Sequence, residues 1–468
     1  MAKKIDDGKS QIVLIAAIII IAAVMIFGMF SKGGKGSEKS AGKAKNVKIS
    51  QNNGKKSSKT KKSKEKKEVE PEILDGYQVL KVSDGDTINI QKVENGKFVE
   101  ILKSGSFKET ANCDDITVID IKGSTVLPGL FELHTHLTLD STDYSGNLMY
   151  DVPELLVKSY EFAKEYLKQG YTTVRDCGGR GNVTRAINMG IANGTLIGPR
   201  IISCGRIITP TETGNSSFGD MYIEADGPME FRKACREQFK LGNDFIKVMC
   251  TGAFLNDAGD PGMQIITLEE LKECVVTASM KKSYVAAHCH SDAGIRCAIK
   301  AGVRTIEHGV FIEPDTVELL KNTKNCFLIP TGAIGMECLS DENQNATEDI
   351  LNKSKLYEEK EKNAINYAYR SGLKMGFGSD IDMEAFKRIP GYEFVARKKF
   401  YDFENVDILK QATINSAEIL GVADDYGSIE TGKVADMIVV DGKPDKDIYC
   451  MQKPLKLVMK EGIIVDDF

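Results

Sequence analysis

The chain predicts an α/β fold: a (β/α)8 TIM barrel, a small β-sandwich domain assembled from segments on both sides of that barrel, and an N-terminal transmembrane helix. Three observations carry this. Between residues 128 and 425, eight short apolar runs alternate with amphipathic stretches, the pattern of repeated strand–helix units around a parallel barrel. Outside that region, at 76–127 and 428–468, short alternating segments are separated by Gly-containing turns such as VSDGD, IETGK and VDGKP, which read as strands and hairpins. Near the start, Gln11–Phe30 reads QIVLIAAIIIIAAVMIFGMF, with nineteen consecutive uncharged residues after Gln11.

In chain order, residues 1–10 form a short tail and 11–30 the membrane helix. At about 1.5 Å per residue the apolar run reaches roughly 30 Å, enough to cross a bilayer. It exceeds the roughly 7–15 residues of a signal-peptide core, and no Ala-x-Ala site follows it. No cysteine precedes Cys113, which argues against a lipoprotein anchor. Residues 31–72 are Lys, Ser and Gly with almost nothing apolar, so they cannot bury a core and read as a solvated linker. Six lysines directly after the helix favour a cytoplasmic body, whereas the short N-terminus favours export. The reading adopted is a single-pass membrane protein with an extracytoplasmic body. Residues 73–127 and 426–468 then form one composite β domain around the barrel at 128–425.

Composition agrees with a globular body. Across 468 residues, 42% hydrophobic and 28% charged residues with 43 Gly and 12 Pro exclude collagen, wholesale disorder and a polytopic membrane protein. The net charge of −5 is unevenly spread: residues 1–70 hold 17 Lys against 6 acidic residues, and the remainder holds 45 basic against 61 acidic. An acidic body argues against a nucleic-acid surface. The eleven cysteines are odd in number and never form Cys-x-x-Cys, so they suit neither a disulfide framework nor a zinc knuckle. Cys177, Cys204, Cys250, Cys289 and Cys326 lie in or beside apolar runs and read as core thiols.

The eight strand candidates are LFELHTHL, YTTVRDC, RIISC, DFIKVMC, YVAAHCH, RTIEHG, CFLIPTG and KMGFGSD. Helices are expected at 152–169, 227–241, 267–282, 292–301, 313–321 and 348–371, where apolar residues recur at three- and four-residue spacing. Four of the five histidines sit at C-terminal ends of these strands, the end at which barrel active sites are built. His134 and His136, two apart on one strand, point to the same face and can grip one metal ion. His288, His308 and Asp380 are each a polar residue closing an apolar run. Lys247 interrupts FIKVMC, where an unpaired ammonium facing the barrel carries a heavy desolvation cost. Burial lowers a lysine's pKa, and the neutral amine can take up carbon dioxide to become a carboxylate-like ligand. The alternative is a buried ion pair, with Asp176 as a candidate partner. His290 shares the inward face of His288, one pleat nearer the mouth.

Taken together, HTH at 134–136, DFIKV around Lys247, AAHCH around His288, IEHG around His308 and GSD at 378–380 resemble the metal-dependent amidohydrolase superfamily. Within it, the likeness is to the binuclear-zinc Xaa-Pro, Xaa-Arg/Lys and N-acyl-amino-acid hydrolase branch. The stretches VLPGLFELHTHL, GYTTVRD, GNDFIKVMCTG, GIRCAIKAGVRTIEHG and TINSAEILGVADDYGSIETGKVADMIVVDG carry it across residues 75–468. The resemblance implies that His134, His136, carbamylated Lys247 and Asp380 hold one zinc, and that Lys247 bridges to a second held by His288 and His308. It implies attack by a metal-bridging hydroxide on an amide bond, with Asp380 as general base and then general acid. His290 would face the substrate carboxylate, and Arg206, Arg180 and Arg388 are further candidates for that contact, unranked by sequence.

Three loops depart from the family pattern: TPTETGNSS after strand 3, CTGAF after the lysine strand, and IDMEAFKRIPGYE after Asp380. All three fall where substrate is contacted, so they leave specificity more open than catalysis. The expected protein is a membrane-tethered binuclear hydrolase of a dipeptide or N-acyl amino acid, with a homo-oligomer left open. A cyclic-amide hydrolase or an imidazolonepropionase-like enzyme is the alternative enzyme, the latter type working with one metal and no bridging lysine. A metal-free binding protein on the same barrel is the alternative of a different class.

Overall fold

Two four-stranded sheets accompany the barrel. In one, β1 (Gln78–Lys81) lies between β2 (Ile88–Glu94) and β4 (Thr117–Asp120), and β3 (Lys97–Lys103) forms the far edge beside β2. In the other, β5 (Thr125–Pro128) pairs antiparallel with β15 (Met437–Val440), followed by β16 (Leu457–Lys460) and β17 (Ile463–Ile464). That second sheet therefore joins segments more than 300 residues apart, Ile438 lying opposite Leu127. An antiparallel bridge from Lys97 to Val434 links β3 to the C-terminal segment, with Phe98, Ala435, Met437 and Met459 packed together.

The computed structural model describes residues 78–81, 88–103, 117–121, 123–140, 150–256, 259–340, 342–343 and 346–465. The expected membrane helix at 11–30 and linker at 31–72 lie outside the described residues. Among the described residues no helix is long and apolar enough to cross a membrane.

The barrel follows directly from β5. Its strands are β6 (Leu130–Thr135), β7 (Tyr171–Asp176), β8 (Arg200–Ser203), β9 (Ile207–Thr209), β11 (Ile246–Met249), β12 (Val285–Cys289), β13 (Thr305–His308) and β14 (Phe327–Ile329), all paired in parallel, with short β10 (Tyr222–Glu224) added beside β9. Every residue of β6, β7, β11, β12 and β13 is buried, as expected for strands covered on both faces.

Two strands differ from their sequence expectation. The third is split into β8 and β9 at Gly205, whose φ of 71° lies in the left-handed region. The eighth, KMGFGSD, has no regular ladder yet still closes the ring: Gly376 N donates to Leu328 O (3.0 Å), Leu133 N to Phe377 O (2.7 Å) and Asp380 N to His134 O (2.8 Å). Its glycines account for the close approach. A Cβ at Gly376 would stand 2.6 Å from Ile329 Cδ1, and one at Gly378 would stand 2.8 Å from His134 Cβ.

The six expected helices form at Val152–Lys168, Pro228–Lys240, Leu268–Ser279, Asp292–Ala301, Pro314–Lys321 and Glu348–Arg370. Side-chain caps start four of them, and the helices at Pro228 and Pro314 begin on proline without such a cap. Asp151 with Glu154 and Thr267 with Glu270 form capping boxes, and the Ser291 side chain accepts from Gly294 N. Helices at Val183–Ala192, Gly332–Cys338, Met383–Arg388 and Tyr392–Lys399 were not expected. In the last, Glu393 and Arg397 are buried as an i,i+4 ion pair at 2.6 Å, so a charged pair occupies positions where the period would show apolar residues.

Candidate metal centre

Strand ends set the geometry. His134 lies near the end of β6 with His136 one residue beyond it, Lys247 lies within β11, His288 near the end of β12 and His308 at the end of β13. Asp380 follows the closing segment, tied back by its own N–H to His134 O. His308 and Asp380 adopt positive φ, 70° and 58°, an unfavourable conformation for side chains other than Gly that clusters at functional sites. At His308 the turn has a visible result. Glu307 and His308 are neighbours on one strand, yet Glu307 reaches His134 Nδ1 at 2.8 Å while the His308 ring lies 4.7 Å, centroid to centroid, from the His134 ring.

Among the described residues three donor groups result, one of them His134 with Cys177 and Glu307 and the other two at the strand ends. The ligand atoms of His134, His136 and Asp380 lie within 4.8 Å of one another, and so do those of His288, His290 and His308. Asp380 Oδ1 is 3.5 Å from His134 Nε2 and 3.3 Å from His136 Nε2, and Lys247 Nζ is 3.4 Å from His134 Nε2.

Four of the five rings, His290 excepted, have one nitrogen occupied on the outer side. His134 Nδ1 meets the Glu307 carboxylate, His136 Nδ1 meets Gly178 O at 2.9 Å, and His288 Nε2 meets Gly252 O at 3.3 Å. Carbonyl and carboxylate oxygens only accept, so these nitrogens carry the protons and the other ring nitrogen keeps a free lone pair. His308 Nδ1 meets Thr331 Oγ1 at 2.8 Å, again leaving Nε2 inward. Burial holds His134, His288 and His308 well below the usual imidazole range, so they stay neutral and able to bind a cation. Outer oxygen partners of this kind fix the orientation of metal-binding imidazoles.

Lys247 is 1% exposed and, among the described residues, no carboxylate pairs with it. The ion pair with Asp176 is not formed. Asp176 Oδ1 accepts from Leu137 N at 3.0 Å, and its Oδ2 has no partner. His290 lies one residue beyond β12 with Nδ1 buried and unpartnered, its ring edge-on to Phe254 at 4.9 Å.

The structure does not bring Arg206 into the pocket. Its guanidinium donates to the backbone oxygens of Asp220 and Tyr222, because the break after β8 turns the chain outward at that point. Arg180 is held by Asp220 and Tyr150 O, and Arg388 by Glu337 and Glu342. Sequence reasoning also passed over Glu307, Arg175 and Glu132. Arg175 binds both Glu307 oxygens at 2.8 and 2.9 Å, and Glu132 Oε1 accepts from His134 N and Ser379 N. Their signal was present as charged residues inside otherwise apolar strands, the same signal that singled out Lys247.

A parallel barrel whose mouth collects neutral histidines and an aspartate, each oriented from outside, defines a metal-dependent hydrolase. Comparison with known proteins is specific about which kind. The family model described as the amidohydrolase family matches residues 125–465, and the chain belongs to that family. Ochratoxinase of Aspergillus niger is 27% identical over 361 residues, covering 70% of this chain and 72% of that protein. Among solved structures, a Xaa-Pro dipeptidase with methionine bound in its active site has a TM-score of 0.73 at 26% identity, covering 84% of this chain and all of that one. An amidohydrolase has a TM-score of 0.72 at 28% identity, covering 83% and 98%. The likeness to the dipeptidase branch drawn from sequence motifs is met by these neighbours.

Proposed function

We propose that the chain is a binuclear metal-dependent amidohydrolase that cleaves the amide bond of a dipeptide or N-acyl amino acid. The observation that carries this is Lys247: a buried amine with no carboxylate partner, beside the His134–His136–Asp380 group and on the strand adjacent to His288. The donor set fits the ions. Nitrogen and carboxylate donors suit zinc, and carbamylation by carbon dioxide turns the lysine into the missing anionic ligand. His134, His136, Asp380 and Lys247 would hold one ion, and Lys247, His288 and His308 the other. When bound, two such ions supply a water nucleophile at neutral pH and polarise the scissile carbonyl.

The remaining chemistry belongs to the chain. Asp380 accepts the proton released by the attacking water and passes it to the leaving nitrogen, general base first and general acid second. Glu307, held by Arg175, keeps the His134 proton on Nδ1. His290 offers its free Nδ1 to the substrate. A one-metal enzyme of the imidazolonepropionase type does not account for the unpaired lysine. The uncharged run at 11–30 is the proposed anchor holding this body at a membrane.

The test is elemental analysis with an activity screen against dipeptides and N-acyl amino acids in the presence of zinc and bicarbonate. Close to two zinc per chain is expected, with most of the metal lost in Lys247→Ala. One metal or fewer in active protein, unchanged by that substitution, overturns the binuclear assignment.

A further inference from the structure

The cavity over the centre encloses about 890 Å³ of space outside atoms, open solvent included. Its walls are markedly apolar. Phe218, Met221, Met249, Leu255, Ile334 and Leu339 all line it, and most belong to a hydrophobic cluster separate from the main core. Three of the walls come from sequence stretches noted above as departures or their continuations. Phe218 and Met221 follow TPTETGNSS, and Leu255 follows CTGAF.

Charge in the cavity is one-sided. Apart from Lys247 below the histidines, no Lys or Arg is among the described lining residues, while Glu358 and Glu361 are. Both acids already have partners: Glu358 accepts from Lys362 Nζ at 2.5 Å, and Glu361 from Tyr401 OH at 2.5 Å. Away from the metal-binding floor, an acidic side chain entering here meets Glu358 and Glu361 and, among the described lining residues, no Lys or Arg. A basic side chain must give up its hydration to walls that are mostly hydrocarbon, and it finds acids already engaged. An apolar side chain loses only water.

We infer that the chamber formed by Phe218, Met221, Met249, Leu255, Ile334 and Leu339 takes a large uncharged apolar group flanking the scissile amide, so that the substrate is an amide of a bulky hydrophobic residue. This rests on the amide-hydrolase reading of the same site and adds what that reading leaves open. The surface gained is large enough to dominate selectivity. Burying a Leu, Met or Phe side chain in place of a methyl group is worth roughly 10- to 100-fold in transition-state binding.

The experiment uses full-length protein loaded with zinc and two matched dipeptide series, Ala-Xaa and Xaa-Ala, with Xaa as Ala, Leu, Met, Phe, Asp or Arg. In one series, kcat/KM for Leu, Met and Phe is expected to exceed Ala roughly 10- to 100-fold, with Asp and Arg below Ala. Met221→Asp, with metal content retained, should bring the Phe and Ala rates towards each other. Calorimetric binding of N-acetyl-Phe, N-acetyl-Ala and N-acetyl-Asp to the parent protein separates the two readings. If nothing is hydrolysed but N-acetyl-Phe binds at least tenfold tighter than the others, the chamber assignment stands and the dipeptidase reading fails. Hydrolysis without a hydrophobic preference in either series, or binding that favours Asp or is equal across the three, overturns the chamber assignment.

Discussion

At the scale of single residues, the centre is a matter of which atom is left free. His134, His136 and His288 each spend one ring nitrogen on an oxygen that can only accept, and burial keeps His134 and His288 neutral. Asp380 complements them as a carboxylate within 3.3–3.5 Å of two of those rings. In the proposed mechanism its Oδ atoms would serve as ligand and proton carrier at once. Asp380→Asn keeps the shape of the side chain and removes its basicity, so turnover should fall roughly a hundredfold or more while circular dichroism is unchanged. Activity within about threefold of the parent would remove Asp380 from the role of proton carrier.

Elements hold these residues through their ends. Thr267 starts the helix that follows β11 and its loop: its side chain accepts from Glu270 N, and Glu270 reaches back to Thr267 N at 2.8 Å. Thr267→Ala removes half of that reciprocal pair and should cost about 1 kcal/mol, read as a lower melting temperature with metal content unchanged. The long helix Glu348–Arg370 carries a second consequence. Burial raises Glu361 to about 7, above the ordinary glutamate value of about 4.3 in the unfolded chain. Between those pH values the folded protein holds a proton that the unfolded chain has released, so stability falls as pH rises through this window. Glu361→Gln keeps an acceptor for Tyr401 OH and cannot ionise. The variant should match the parent near pH 4 and exceed it at pH 8 by up to about 3 kcal/mol in urea unfolding; a constant difference at both pH values would contradict the assignment. The helix Tyr392–Lys399 shows why some elements escaped the sequence. Its inward face carries the Glu393–Arg397 pair, and a period defined by apolar residues does not register a buried charge pair.

For the whole molecule, the proposed anchor and the catalytic body separate cleanly along the chain, since every proposed ligand lies beyond residue 130. Deleting residues 1–70 should leave turnover of small substrates unchanged and yield an acidic protein retained by an anion exchanger. Full-length protein should stay in the membrane fraction after a high-salt wash, because a spanning helix is held by apolar burial and not by charge; release by salt alone would reject the anchor. The sequence by itself determined the strand–helix alternation, the six expected helices and which residues closed the strands, because periodicity and a polar residue ending an apolar run are local signals. It also marked Lys247, since an amine inside an apolar strand is locally costly. Tertiary structure alone decided the rest. It showed that Arg206 spends its guanidinium on backbone oxygens, that Glu307 reaches across the barrel to a histidine 173 residues earlier, and that the eighth segment closes the ring without a regular ladder. Those outcomes depend on which distant atoms meet once the ring closes, and no short-range pattern in the chain encodes that.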